Sequence, residues 1–267
     1  MLTFTKAHAY GNDFLYVERS AVLGASLDLL AREMCDRHSG VGADGLIVYA
    51  RVGGVAAMRL FNADGSTAEV SGNGVRALAA ILLQHDKDAH ATIAIETAAG
   101  TKQVERLGAN GSRQTFRTAM GVPSTPERLS INVGGEVVDS VVLNMGNPQC
   151  IILGPLPDEA RFMRVGAALE RHSRFPEGTN VEFAYVESPT RVRIRIWERG
   201  VGPTLSSGTG SCASLVAAAA FGGASRDAEV IAPGGSQRIE WRDDGVYLTG
   251  WAEVICQGEW LRHFPRT

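Results

Sequence analysis

The sequence predicts an α+β protein made of two pseudo-symmetric halves, and three observations predict it. First, Ser71-Gly-Asn-Gly74 recurs as Ser207-Gly-Thr-Gly210 about half a chain length later. Second, each copy follows a strand-like stretch (Arg59–Asp64, Arg195–Arg199). Each then opens an Ala-rich apolar run that reads as a helix (Val75–Leu83, Cys212–Phe221). Third, many short strand-like runs stand beside few long helical periods, which argues against a doubly wound parallel sheet. A chain of 267 residues, 45% apolar and 21% charged, can bury a core in each half.

Leu2–Lys6 and Phe14–Glu18 flank the turn Tyr10-Gly-Asn-Asp13 and read as strand, turn, strand. Leu27–Cys35 carries apolar residues at helical spacing. A glycine-rich loop, residues 36–45, delivers the chain into a strand at Leu46–Ala50, and a further strand at Ala57–Phe61 precedes the first Ser-Gly elbow. Ala91–Thr97 and Lys102–Leu107 form a hairpin around Ala99-Gly100. Leu107–Ser112 is the most linker-like stretch and sets the domain boundary, giving halves 1–111 and 112–254.

In the second half, strands are expected at Gln114–Thr118, Leu129–Val133, Val137–Met145, Asn180–Val186 and Arg191–Trp197, with a helix at Asp158–Arg171. Cys150 falls in an apolar strand. Ala228–Ala232, Arg238–Trp241 and Val246–Gly250 close the half as strands. Gly200-Val-Gly202 lacks the full dinucleotide fingerprint and its βαβ setting.

A net charge of −3 with scattered basic residues excludes an electrostatic footprint for nucleic acid or an anionic membrane. No apolar run reaches the length of a transmembrane helix, and the N-terminus lacks a signal-peptide layout. Cys35, Cys150, Cys212 and Cys256 form no CxxC pair, so a reducing cytoplasm is expected, with neither a zinc site nor a disulfide scaffold. The six histidines show no ligand spacing, so no metal is expected.

The chemistry is expected at the elbows. Glycines let backbone or ligand approach closely, and helix N-termini favour an anion such as a carboxylate. Two such termini facing one small molecule in a shared cleft could move a proton on opposite faces of one carbon. Asn12, Asn62, Asn147 and Asn180 sit at turn-like places. With Asn73 and the pair Glu198-Arg199 they make a polar cage suited to a zwitterion, because amides and arginine both hold carboxylates.

Ala9-Tyr-Gly-Asn-Asp-Phe14, Gly40-Val-Gly-Ala-Asp-Gly45, Phe61-Asn-Ala-Asp-Gly65, Gly72-Asn-Gly74, Gly146-Asn-Pro148, Thr179-Asn-Val-Glu-Phe183, Trp197-Glu-Arg-Gly200 and Gly208-Thr-Gly210 occur in this order. Together they resemble the diaminopimelate epimerase family, from about Phe4 to Trp260. The resemblance implies halves that are each a curled, barrel-like mixed sheet around a central helix, with the active site in the cleft between them. The final strand and tail, 255–267, would return to the first half. It implies cofactor-independent interconversion of LL- and meso-diaminopimelate in lysine biosynthesis by a cytoplasmic homodimer. It also implies that Asn12, Asn62, Asn147, Asn180 and Arg199 bind substrate, with Gly72, Asn73, Gly208 and Thr209 holding its reacting carboxylate.

At three positions the chain departs from the family. The family's two acid–base cysteines stand where this chain has Ser71 and Ser207, and a common histidine stands where it has Gln149. A thiol of pKa about 8.5 falls to roughly 3.5–7.5 at a helix N-terminus. The same dipole contributes only about 0.3–2 kcal/mol, one or two pK units, which leaves an alcohol far from ionised at neutral pH. Gln149 orients but accepts no proton, and Glu198 is the remaining candidate base. None of the four cysteines replaces the missing pair, and no Gly-x-Ser-x-Gly elbow signals a serine hydrolase. Three readings stay open: an impaired diaminopimelate epimerase, an isomerase or racemase of the same fold acting on another amino acid or carboxylate, and a silent amino-acid-binding homologue.

Overall fold

The computed structural model describes residues 1–68 and 71–263. It divides into two units, one comprising Met1–Thr118 and the chain from Gly250 onward, the other Ala119–Thr249.

In the first unit β1 (Leu2–Ala9) and β2 (Asn12–Glu18) form an antiparallel hairpin in which Ala9 faces Asn12. Its turn places Tyr10 at φ 56 and Gly11 at φ 85, the left-handed pair that suits the strand twist in a two-residue hairpin. β2 runs parallel to β3 (Gly45–Val52), and such a pairing needs a crossover, supplied by α1 (Leu27–Cys35). β3 pairs antiparallel with β4 (Val55–Asn62), which carries the short β5 (Thr67–Ala68). β4 is parallel to β6 (Thr92–Thr97), and here α2 (Gly72–Leu82) is the crossover. Antiparallel ladders join β6 to β7 (Gly100–Asn110) and β7 to β8 (Arg113–Gly121). The later part of β17 (Gly245–Trp260) pairs with both β1 and β8, so the circuit of strands closes.

Strands β2 and β3 are buried on both faces, which explains their nearly continuous apolar runs. Phe14, Tyr16 and Ile47 pack with Val75, Ala77, Leu78, Ala79 and Ala80 of α2, the helix at the centre of the unit. Leu15, Leu46 and Val48 point the other way, against Leu30, Ala31, Met34 and Cys35 of α1.

The second unit repeats this order of ladders. β9 (Glu127–Val133) leads into β10 (Glu136–Asn144), which is antiparallel to β11 (Pro148–Leu153). β11 is parallel to β12 (Asn180–Ser188) across α3 (Glu159–Glu170). β12 is antiparallel to β13 (Arg191–Glu198), which carries the short β14 (Gly202–Thr204). β13 is parallel to β15 (Asp227–Ala232) across α4 (Gly208–Ala217), and β15 and β16 (Gly235–Arg242) close in antiparallel fashion. α4 is almost wholly buried among Ile151, Ala184, Ile194, Val230 and Leu248. The repeat seen in two tetrapeptides is therefore a repeat of topology, and each half is a mixed sheet around a central helix.

Three expectations need correction. Leu107–Ser112 is no linker: it is the end of β7 and the turn into β8 within the first unit, and the chain leaves that unit along β8 at Thr118. Its glycines and polar residues serve a hairpin, whose composition imitates that of a linker. The strand expected at Val246–Gly250 continues unbroken to Trp260, so the strand part of the expected tail is one with it; residues 264–267 of that tail lie outside the described residues. The helix expected to reach Phe221 ends as α4 at Ala217 and is followed by a π-helical turn, Ala218–Gly222, before Gly223 at φ 80. No helix among the described residues is long and apolar enough to cross a membrane.

Candidate active site

The two elbows have the same local geometry. Ser71 is extended (φ −123, ψ 119), and its Oγ accepts from Gly74 N at 3.1 Å. Ser207 is extended (φ −136, ψ 128), and its Oγ accepts from Gly210 N at 3.2 Å. Each serine is thus the N-cap of the central helix of its unit, a position that side-chain oxygens favour because the first helical N–H groups lack partners. Gly72-Asn73 and Gly208-Thr209 form the first helical residues, where exposed N–H groups favour an anion.

The third residue of each Gly-x-Gly turn rests directly on a neighbouring strand. A Cβ added to Gly74 would lie 2.8 Å from Ile47 Cδ1 on β3. One added to Gly210 would collide with Glu182 Oε1 on β12. The two strands correspond in the repeat, yet one offers a methyl group and the other a carboxyl.

In the first unit, Asn12 is held from both ends. Its Nδ2 donates to Asp44 Oδ2 at 2.8 Å, and its Oδ1 accepts from Asn73 Nδ2 at 3.3 Å. Asp44 also accepts from Asp13 N at 3.0 Å and from Arg37 at 2.9 Å. Asp13 is nearly buried and pairs with Arg37 at 2.7 Å and Lys6 at 3.0 Å. Burial alone would raise the Asp13 pKa, but the hydrogen bonds from Arg37 and Lys6 outweigh it and hold the group below the usual carboxylate range. Asn62 lies at the neighbouring strand end and donates to Ser66 Oγ at 2.9 Å.

In the second unit, Asn147, Gln149, Asn180 and Thr209 come together around one amide. With its Nε2 turned toward Glu182, Gln149 donates to both carboxyl oxygens at 3.1 Å. Its Oε1 then accepts from Asn180 Nδ2 at 3.0 Å and Thr209 Oγ1 at 3.2 Å. The opposite orientation would set its oxygen against the Glu182 carboxyl and its nitrogen against Asn180 Nδ2. The Asn147 amide lies 2.6 Å from that of Gln149 and 3.4 Å from Thr209 Oγ1. Asn180 Oδ1 accepts from Arg199 N at 2.9 Å, which joins the backbone of the Glu198-Arg199 pair to the cluster.

Two further acids organise this unit. Glu182 is fully buried, and its pKa is pushed well above the usual range, mainly by burial and then by the charge of Glu198. Glu170, at the end of α3, accepts from Trp197 Nε1 at 2.7 Å and from Gly200 N at 2.9 Å, bracketing Glu198 and Arg199. Asp44, Glu182 and Glu170 were absent from the candidates read from sequence. Asp44 and Glu182 do lie inside quoted motifs, and an acid among the apolar residues of a strand was the available signal for Glu182.

The cysteines offer no replacement acid–base pair. Burial pushes the thiols of Cys35 and Cys150 up to about 12. Cys212 is buried in the helix core. Cys256 stands exposed on β17, contrary to its apolar sequence setting.

Comparison with known proteins accords with this geometry. The family model described as diaminopimelate epimerase matches residues 4–125 and 141–255. The diaminopimelate epimerase of Desulforudis audaxviator is 42% identical, covering 98% of this chain and 100% of that protein. That of Desulfovibrio desulfuricans is 37% identical over 97% and 98% respectively. Among solved structures, a hydroxyproline epimerase from Agrobacterium vitis matches with a TM-score of 0.73 at 15% identity, covering 96% of this chain and 91% of that one, which bears on the fold alone. Repeated sheets, paired elbows and near full-length identity agree: the chain belongs to the diaminopimelate epimerase family, a family of isomerases.

Proposed function

We propose that this chain binds diaminopimelate and epimerises it between the LL and meso forms without a cofactor, in lysine biosynthesis, but slowly. The reading assigns one proton-transfer position to each unit, Ser71 and Ser207, with Glu198 and Gln149 as supporting groups. It assigns the α-carboxylate to the N–H groups of Gly72-Asn73 and Gly208-Thr209. The remaining polar groups of the substrate go to Asn12, Asn62, Asn147, Asn180 and Arg199. A cytoplasmic homodimer belongs to the same reading.

The observation that carries the slow turnover is the state of the two hydroxyls. Each is an alcohol engaged as an N-cap acceptor, and among the described residues no histidine or lysine hydrogen-bonds to it to take its proton. An alcohol without an adjacent base is a weak nucleophile and a weaker base. The test is deuterium incorporation at Cα of meso-diaminopimelate in heavy water. Binding by calorimetry with very slow exchange is expected. The S71C/S207C double variant should raise exchange by about 10²–10⁴-fold, the worth of a positioned acid–base pair. Rapid exchange in the unmodified chain would sink the argument from alcohol acidity. Absence of binding would point to another amino acid or carboxylate as substrate.

A further inference from the structure

Resting on that reading, we infer that Glu182 is a positioning residue for substrate binding, which acts by fixing the orientation of the Gln149 amide. An amide presents an acceptor on one side and donors on the other, and rotation by half a turn exchanges them. Arg199 N holds the Asn180 oxygen, so Asn180 presents Nδ2 to Gln149. The side of Gln149 that meets it is the oxygen, which also accepts from Thr209 Oγ1 and, once the Asn147 amide turns its Nδ2 inward, from Asn147. That choice requires an acceptor for Nε2 on the far side, and the two oxygens of Glu182, each at 3.1 Å, are that acceptor.

Glu182 cannot withdraw from this duty. It is fully buried on β12, flanked in the ladders by Ile151 and Ile196. The first turn of α4 lies so close that a Cβ at position 210 would collide with its Oε1. Protonated or ionised, the carboxyl retains an oxygen that accepts from Nε2. The chain of contacts then runs from Glu182 through Gln149 to Asn147, Asn180 and Thr209, which the functional reading places against substrate. The corresponding strand of the first unit has Ile47 at the equivalent contact, so this device belongs to one half alone.

The experiment compares the full chain with E182L, E182Q, Q149A and E182L/Q149A. The first readout is the side-chain amide signal of Gln149 in nitrogen–proton NMR, identified by its disappearance in Q149A. The second is calorimetric affinity for meso-diaminopimelate. In E182L the Gln149 amide should lose its slow solvent exchange, and affinity should fall about tenfold, the worth of one buried hydrogen bond to an acidic group. E182Q still offers an oxygen to Nε2, so it should keep the signal and an affinity within about threefold. The double variant should bind no more weakly than Q149A, because both changes break one pathway. An unmoved amide signal in E182L, or losses that multiply in the double variant, would overturn the inference. Should E182L not fold, E182Q decides alone, since loss of the signal there contradicts the role and its retention supports it. If the unmodified chain binds no diaminopimelate, the substrate reading fails while the amide signal still judges Glu182.

Discussion

At the scale of single residues, Ser71 and Ser207 do structural work whatever their part in proton transfer. Each caps a central helix, and alanine there is expected to cost about 0.5–2 kcal/mol of stability, read as a fall in urea midpoint at unchanged slope. Gly210→Ala should cost more, about 1–3 kcal/mol, because the new methyl group would collide with the buried Glu182 carboxyl. A Gly210→Ala variant as stable as the parent would show that Glu182 has room to turn aside. The elbows, the turn asparagines and the Glu198-Arg199 pair were legible in the sequence because short glycine-rich motifs carry their chemistry locally. Glu182 and Asp44 were not, since their importance comes from what lies opposite them in three dimensions. The apolar neighbours of Glu182 mark it as buried, but nothing in the sequence shows that it faces the first turn of α4 and the Gln149 amide.

At the scale of elements, α3 and the β13–β14 connection are joined by one buried acid. Glu170 satisfies the indole of Trp197 and the backbone of Gly200, and Trp197 itself packs across Gly166 on α3. Glu170→Leu should therefore destabilise by about 3–5 kcal/mol through two orphaned donors and lost packing, measured by chemical denaturation. It should also weaken diaminopimelate binding, because Arg199 lies between the two anchored groups. Helix α1 was legible to the residue, since its apolar spacing is regular and its ends are marked. Most strands were legible too, to within a few residues. The short β5 and β14 were not, because two or three residues carry no period and exist only by pairing with β4 and β13. The hairpin at Leu107–Ser112 passed for a linker because turns and linkers draw on the same residues.

At the scale of the whole molecule, two buried acids bound the pH range of stability from opposite sides. Asp13 has a lowered pKa, so its contribution is present above the unfolded value of about 3.9 and is lost as pH falls through the folded value. Glu182 has a raised pKa, so its contribution is complete below about 4.3 and declines as pH rises from there toward the folded value. Thermal melts of D13N should show a weaker loss on the acid side. E182Q should remove part of the decline on the alkaline side, and an unchanged melting profile there would contradict the burial of that carboxyl. The twofold repeat was legible at this scale because it is written twice. The placement of the unit boundary was not, since β8 and β17 each carry the chain from one unit to the other without a break.

That continuity of β17 has a bearing on how the protein is made. Residues Ala119–Thr249 form an uninterrupted stretch of chain, whereas β1 is paired along its length with a segment translated only after that whole stretch. The half translated first is thus completed last, its opening strand waiting with a bare edge until more than two hundred further residues have emerged. A nascent chain arrested shortly after Thr249 clears the exit tunnel should accordingly resist protease across its newer half and be cut across its older one.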